Sequence, residues 1–316
     1  MQQQRRNFLK TSAYGVAGLA GLSAFPQFSR VALSSSVFPV GDASLMVLTD
    51  GNLVLPGDFI IPDELPADLK AEDLSEFASK NGLPTDSYEP PCNITLWQNE
   101  DHLVLFDVGA GPNFMETTGK LLLSLEEAGI DPTEVTDVVF THAHPDHLWG
   151  LIDDFDELAF PEANYHMAAA EWDFWRASDT MDKMPESRQF FVVGAQNRLA
   201  LLEDRIQLFQ TGAEVVAGVE AVDTSGHTPG HTSFALHSGN DSVMVLGDAL
   251  THAVLSFQKY DWPAGSDQDK EQGRATRTKL LDRLAHEQTA VVGFHLPHPG
   301  FGRAERSNGA YRFSAG

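Results

Sequence analysis

The chain has 316 residues, 42% hydrophobic and 21% charged, with its 26 glycines and 17 prolines spread along it. That is enough to bury a large core, and it excludes low-complexity disorder. A formal net charge of -24 argues against nucleic acid and anionic lipid as partners, and a lone cysteine, Cys92, excludes an internal disulfide.

The chain opens on Gln4-Arg5-Arg6-Asn7-Phe8-Leu9-Lys10, followed by a mildly apolar run from Ala13 to Phe25. The order resembles a twin-arginine export signal, and the run is too short and too weak for a stable membrane span. A signal over residues 1–36 is expected, cleaved between Ala24 and Ser36. The twin-arginine machinery is then a partner, the mature chain of residues 37–316 forms one domain, and its location is periplasmic.

Leu45–Leu48 is predicted as a strand ending at the Asp50-Gly51 turn. Residues 56–91 are rich in proline and acids and predict an irregular excursion with a short helix near Ala71–Ser79. Its apolar content suits a homodimer contact. Cys92 reads as a buried structural thiol ahead of an apolar strand. Ile94–Gln98 and Leu103–Asp107 predict a hairpin. Leu121, Leu122, Leu125 and Ala128 have helical spacing and stop at Gly129. Asp137–Phe140 is a short buried strand. Residues 168–202 have a helical, aromatic-rich pattern. Strands follow at Ile206–Phe209, Val219–Val222, Thr232–Leu236 and Val243–Leu246, then a helix near Asp269–Glu287 and a strand at Ala290–Phe294. Strands and helices alternate in two halves, which suggests an α/β fold of two packed sheets with helices outside.

The chemistry concentrates at the C-terminal end of the strand Asp137–Phe140. Thr141-His142-Ala143-His144-Pro145-Asp146-His147 places three imidazoles and a carboxylate within six residues. A packed core avoids such polar density, whereas zinc and similar first-row ions take these ligands. Other donors sit at further strand ends and turns: His227 and His231 in Gly226-His-Thr-Pro-Gly-His231, Asp248 after Leu246-Gly247, and His295 after Phe294. The histidines at 102, 166, 237, 286 and 298 are not expected to bind metal.

His142-x-His144-x-Asp146-His147, then His231, Asp248 and His295, resembles the metallo-β-lactamase-fold hydrolases over nearly the whole mature chain. The resemblance implies a four-layer αβ/βα sandwich and a small-molecule substrate. It also implies two divalent metal ions, zinc first, with manganese, iron or cobalt as alternatives. Carried over by position, His142, His144 and His231 hold one ion, and His227 is left as a turn residue. Asp146, His147 and His295 hold the other. Asp248 bridges both. A shared hydroxide then cleaves a neutral lactone, ester or phosphotriester, with Asp146 also handling a proton. The tail from Pro299-Gly300-Phe-Gly302 to Gly309-Ala-Tyr311-Arg-Phe313 is similar to exported methyl-parathion-hydrolase-like enzymes and quorum-quenching lactonases.

One position departs from that pattern. Acyl-homoserine lactonases carry a tyrosine three residues after the bridging aspartate, where this chain has Thr251 followed by His252. By its spacing from Asp248, His252 is the candidate substitute catalytic residue, supplying a hydrogen bond or a proton, against a strand-packing or surface role. Trp172, Phe174, Trp175 and Phe59 are candidates to roof the pocket, against a plain core role, which a Trp/Phe stripe at helical spacing more often has. The alternative function is a mononuclear iron oxidoreductase of persulfide-dioxygenase type on the same fold. The full seven-ligand set counts against it, and one iron with oxygen uptake distinguishes it from two zinc-like ions.

Overall fold

The computed structural model describes residues 36–56, 71–84 and 86–316. The export signal expected over residues 1–36 lies outside them, apart from Ser36. So do Phe59 and much of the excursion assigned to a dimer contact.

The first half contains β1 (Ser36–Val40), β2 (Ala43–Asn52), β3 (Leu55–Pro56), α1 (Ala71–Asn81), β4 (Ser87–Tyr88), β5 (Pro91–Gln98), β6 (Leu103–Phe106), α2 (Leu121–Ala128), β7 (Asp137–Val139), α3 (Pro145–Leu148), β8 (Asn164–Ala168), α4 (Ala169–Arg176), α5 (Thr180–Lys183), α6 (Gln189–Ala200) and β9 (Ile206–Phe209). The second contains β10 (Glu214–Val216), β11 (Val219–Asp223), β12 (Thr232–Ser238), β13 (Asp241–Val245), α7 (Leu255–Gln258), α8 (Lys270–Glu287), β14 (Ala290–Val292), β15 (Phe301–Ser307) and β16 (Ala310–Ala315). Strands β1, β2 and β5 to β9 form one seven-stranded sheet; β10 to β16 form another. The short β3–β4 ribbon stands apart.

Side-chain alternation explains why the sheets stack. Along β2, Leu45 and Val47 face one way and Met46 and Leu48 the other, all buried. Leu45 and Val47 join Val104, Phe106, Phe234, Leu236, Val243 and Val245 in the core between the sheets. Met46 and Leu48 pack instead under Leu121 and Leu125 of α2, in a core that extends to Val192 and Leu199 of α6. On the second sheet, Met244 and Val291 pack under Leu280, Leu281 and Leu284 of α8. Three cores thus separate four layers: helix, sheet, sheet, helix. Strands buried on both faces read as unbroken apolar runs, and a one-residue register slip would exchange the two cores.

Local signals set the ends of the helices. Asp269 accepts the Gln272 N–H at 2.9 Å and caps α8. Gly129, at φ 75°, closes α2 in the left-handed conformation that glycine adopts without strain. The pairs β6–β7, β7–β8 and β13–β14 are parallel, so their C-terminal ends lie along common edges. The His-rich loop follows β7, Asp248 follows β13 and His295 follows β14. Among the described residues, no helix is long and apolar enough to cross a membrane.

Candidate metal centre

The parallel strand ends bring six of the seven expected donors together, along with one that was assigned elsewhere. Nε2 of His142 lies 3.0 Å from Nδ1 of His144, which lies 2.9 Å from Nε2 of His227. Beside them, Oδ2 of Asp146 is 3.2 Å from Nε2 of His295 and 3.4 Å from Nε2 of His147. Asp248 stands between the two groups. Its Oδ1 is 3.2 Å from Nε2 of His147, and its Oδ2 is 3.3 Å from Nε2 of His227 and 3.4 Å from Nε2 of His295. All seven side chains are buried.

The family resemblance puts His231 in this set and leaves His227 as a turn residue. The geometry exchanges them. Nε2 of His231 accepts the backbone N–H of Asp248 at 2.9 Å, and its Nδ1 lies 2.8 Å from Thr224 Oγ1. Both nitrogens are committed, so His231 positions the Asp248 loop instead of facing a cation. Gly247, at φ 53°, makes this approach achievable. A Cβ there would stand 2.7 Å from Nε2 of His231 and 2.9 Å from Thr141.

The distal nitrogens show how the rings are held. Nδ1 of His147 lies 2.8 Å from Oδ2 of Asp107, and Nδ1 of His295 lies 2.9 Å from the Pro91 carbonyl. These two rings are held through Nδ1 from outside, which turns Nε2 towards the site, where it would bind a cation once deprotonated. Thr141 Oγ1 donates to Asp107 at 2.7 Å and stands 3.0 Å from Nδ1 of His142, which fixes that ring the same way. Nδ1 of His227 is 3.5 Å from Asp267, which is itself held at 2.6 Å by Arg277.

Sequence reading also missed Glu171. This buried carboxylate accepts the N–H groups of Ala143 and Gly230 at 2.9 Å, the Trp175 indole at 2.6 Å and the Thr228 hydroxyl at 2.7 Å. Ala143 lies between His142 and His144, and Thr228 and Gly230 follow His227. Glu171 therefore clasps the two histidine loops together. Its only sequence signal is an acid inside an aromatic, apolar helix, which no motif picks out.

The cluster is electrostatically costly as it stands. Burial opposes the charged form of Asp248, but His295 and His147 outweigh it and hold the carboxyl well below the usual range. Burial likewise opposes a charged His295, while Asp248 and Asp146 push the ring up to about 10. Oδ2 of Asp146, Nε2 of His147 and Oδ1 of Asp248 are buried without a hydrogen-bond partner. Three imidazole nitrogens also crowd within 3.0 Å of a neighbour at the other end. Orphaned lone pairs of this kind, from imidazole and carboxylate, fit divalent cations of the zinc type. Three groups have the necessary spacing: His142–His144–His227 and His142–His147–Asp248, which share His142, and Cys92–Asp146–His295. Cys92 is thus not only a packing thiol in the first core; it also lies against the second donor group.

The donors face a cavity of about 450 Å³ walled largely by apolar side chains, among them Leu53, Leu74, Phe114, Met115, Phe190 and Phe191. His144, Asp146, His227, Asp248 and His295 line its polar side. The three helical aromatics weighed as a roof belong to the core instead. Trp175 is fully buried, and Trp172 and Phe174 pack against the first core. His252 lies on the cavity wall, not among the donors. The remaining histidines are placed away from the donor cluster: His102 and His166 pair with Asp137, and Nδ1 of His298 lies 2.8 Å from Asn93.

The model of the metallo-beta-lactamase superfamily matches residues 88–285, the span holding the His-rich loop, both turn histidines and Asp248. The chain belongs to this superfamily. It is similar to the probable metallo-hydrolase Rv2300c of Mycobacterium tuberculosis, at 25% identity over 66% of this chain and 71% of that one. It is also 24% identical to the hydroxyacylglutathione hydrolase GloC of Haemophilus influenzae, over 72% of this chain and 94% of that one. Among solved structures, it resembles AidC, a dizinc quorum-quenching lactonase in complex with a homoserine product. The TM-score is 0.81 and the identity 27%, covering 90% of this chain and 97% of AidC. The hydrolase AbOPH aligns with TM-score 0.81 and 25% identity, covering 91% and 98%. The chain therefore has the metallo-hydrolase fold of its superfamily, with His and Asp groups suited to metal.

Proposed function

We propose that the protein is a binuclear metal-dependent hydrolase of neutral substrates, lactones first, with esters and phosphotriesters as further candidates. The observation that carries this reading is the junction of seven buried donors with a largely apolar cavity. His142, His144 and His227 would hold one ion. Asp146, His147 and His295 would hold the second, with Asp248 shared. Zinc is the first candidate, on the donor chemistry and on the dizinc centre of AidC. Bound ions would make water nucleophilic near neutral pH and stabilise negative charge on the substrate oxygen.

The chain's own residues do the rest. Asp107, Thr141 and the Pro91 carbonyl fix the rings. Glu171 and His231 fix the loops. The apolar wall excludes water and favours an uncharged substrate with a hydrophobic arm. A polyanion would meet the strongly acidic chain unfavourably. We also propose export by the twin-arginine route to the periplasm, supported by Arg5-Arg6 and the apolar run behind them. Cell fractionation tests that: an Arg5→Lys, Arg6→Lys double variant should stay in the cytoplasm, and unchanged export would contradict the route.

The function itself is tested by elemental analysis of purified protein beside a panel of lactones, aryl esters and phosphotriesters. Two zinc-like ions per chain, with lactone turnover lost to a chelator and restored by metal, support it. One iron per chain with oxygen uptake and no hydrolysis would support the oxidoreductase alternative instead.

A further inference from the structure

His295 is carried on the loop from Gly293 to Gly300, which links β14 to β15. The start of β5 grips that loop from behind. Asn93 is buried, and its backbone N–H donates to the Phe294 carbonyl at 2.9 Å. Its side-chain Nδ2 donates to the Leu296 carbonyl at 2.7 Å and to the Gly293 carbonyl at 3.0 Å. One residue thus takes the carbonyls of positions 293, 294 and 296, on both sides of His295. Two residues earlier on the same strand, the Pro91 carbonyl stands 2.9 Å from Nδ1 of His295.

The Asn93 amide has only one workable orientation. Nδ2 meets two carbonyl oxygens, so Oδ1 faces the other way, where Nδ1 of His298 lies at 2.8 Å. His298 therefore donates to Oδ1 and holds the amide from its far side. The Pro299-Gly300 step of the tail has a local reason in the same contact. A Cβ on Gly300, at φ 72°, would stand 2.4 Å from the Gly293 carbonyl oxygen and 2.8 Å from Asn93 Nδ2. The donors of the other group are secured elsewhere. Glu171 clasps the loops of His142, His144 and His227 through Ala143, Thr228 and Gly230.

We infer that Asn93 is a positioning residue for His295, and through that ring for the second ion alone. This rests on the binuclear reading above. By fixing the peptides before and after His295, the amide sets where Nε2 of that ring points. Loss of the grip loosens the second ion and leaves the first in place.

Asn93→Asp separates donor geometry from electrostatics. Aspartate has nearly the same shape, and its negative charge near a cation would by itself favour metal. When ionised it has no hydrogen for the two carbonyls, and its oxygens repel theirs. In a chelator competition on zinc-loaded protein, read by elemental analysis, one ion per chain should leave at about 10- to 100-fold lower chelator than in wild type. The other ion should keep its wild-type resistance. His298→Ala leaves Asn93 in place but frees its amide, and should show the same selective release at about 3- to 10-fold lower chelator. Adding Asn93→Asp to His295→Ala should not loosen the remaining ion further, because the ring that Asn93 positions is already gone. Wild-type retention of both ions in a folded Asn93→Asp or His298→Ala, equal loosening of both ions, or a further loss in the double variant would overturn the inference. A wild type that holds only one ion per chain would instead overturn the binuclear reading, and this inference with it.

Discussion

Strand β7 carries a carboxylate–imidazole knot near each end, and the two behave differently. At the C-terminal end, Asp107 holds His147 at 2.8 Å and Thr141 at 2.7 Å. At the N-terminal end, Asp137 holds His102 at 2.9 Å, His166 at 2.8 Å and Thr136 at 2.8 Å. The groups are nearly the same, yet only the first knot leaves ring lone pairs pointing at other buried lone pairs. No buried side-chain nitrogen or oxygen of the Asp137 knot lacks a partner, whereas Nε2 of His147 does. The difference teaches that imidazole and carboxylate density does not make a site. Unsatisfied donors converging on a cavity do.

The sharpest way to break this distinction is within the turn that carries two histidines. His227→Ala removes a converging lone pair, so kcat/KM should fall by about 10²-fold or more, with loss of one metal equivalent. His231→Ala removes a positioning ring, so both ions should remain, with a fall of about 10- to 100-fold. Equal metal loss in the two variants, seen by elemental analysis, would erase the division of labour. Next in size are the two knots themselves. Asp107→Asn should weaken metal retention about 10- to 100-fold in a chelator competition, because His147 loses the charge that orients it. Asp137→Asn should leave metal content and kcat/KM unchanged.

The smallest effect is one of stability and pH. Burial alone would raise Asp137, but His166, His102 and Thr136 more than offset it and hold its carboxyl at about 2. A depressed carboxylate stabilises the fold above its unfolded value of about 3.9, and that contribution is lost as pH falls through about 2. Wild type should therefore exceed Asp137→Asn in urea midpoint at pH 7, with the gap closing towards pH 2. A gap that is constant with pH would mean that packing, not ionisation, holds this knot.

Much of the molecule was legible before any coordinates. The two-faced burial of β2, β5, β6 and β13 writes itself as continuous apolar runs, and α2 and α8 announce their ends with Gly129 and Asp269. The C-terminal hairpin of β15 and β16 was overlooked although Asn308-Gly309 is a strong turn signal; both residues have positive φ, at 50° and 79°. Strand β8 hid because His166 interrupts its apolar pattern to reach Asp137. The donor loops were readable because their residue types are extravagant anywhere else. Which of His227 and His231 faces the cavity was not, because Thr228-Pro229-Gly230 reverses the chain between them. The direction of that reversal depends on Glu171, 57 residues away from Thr228. The helical aromatics left roof and core both open for a related reason. A helical stripe such as Trp172–Trp175 looks the same whether it faces a core or a ligand, and only the packing of α4 against the first sheet decides.

The most direct test of the donor geometry is an anomalous-difference map from crystals of the zinc-loaded protein. Two peaks are expected, one among His142, His144 and His227, the other among Asp146, His147 and His295, with Asp248 between them. A single peak, or density at His231 with His227 turned away, would contradict the assignment.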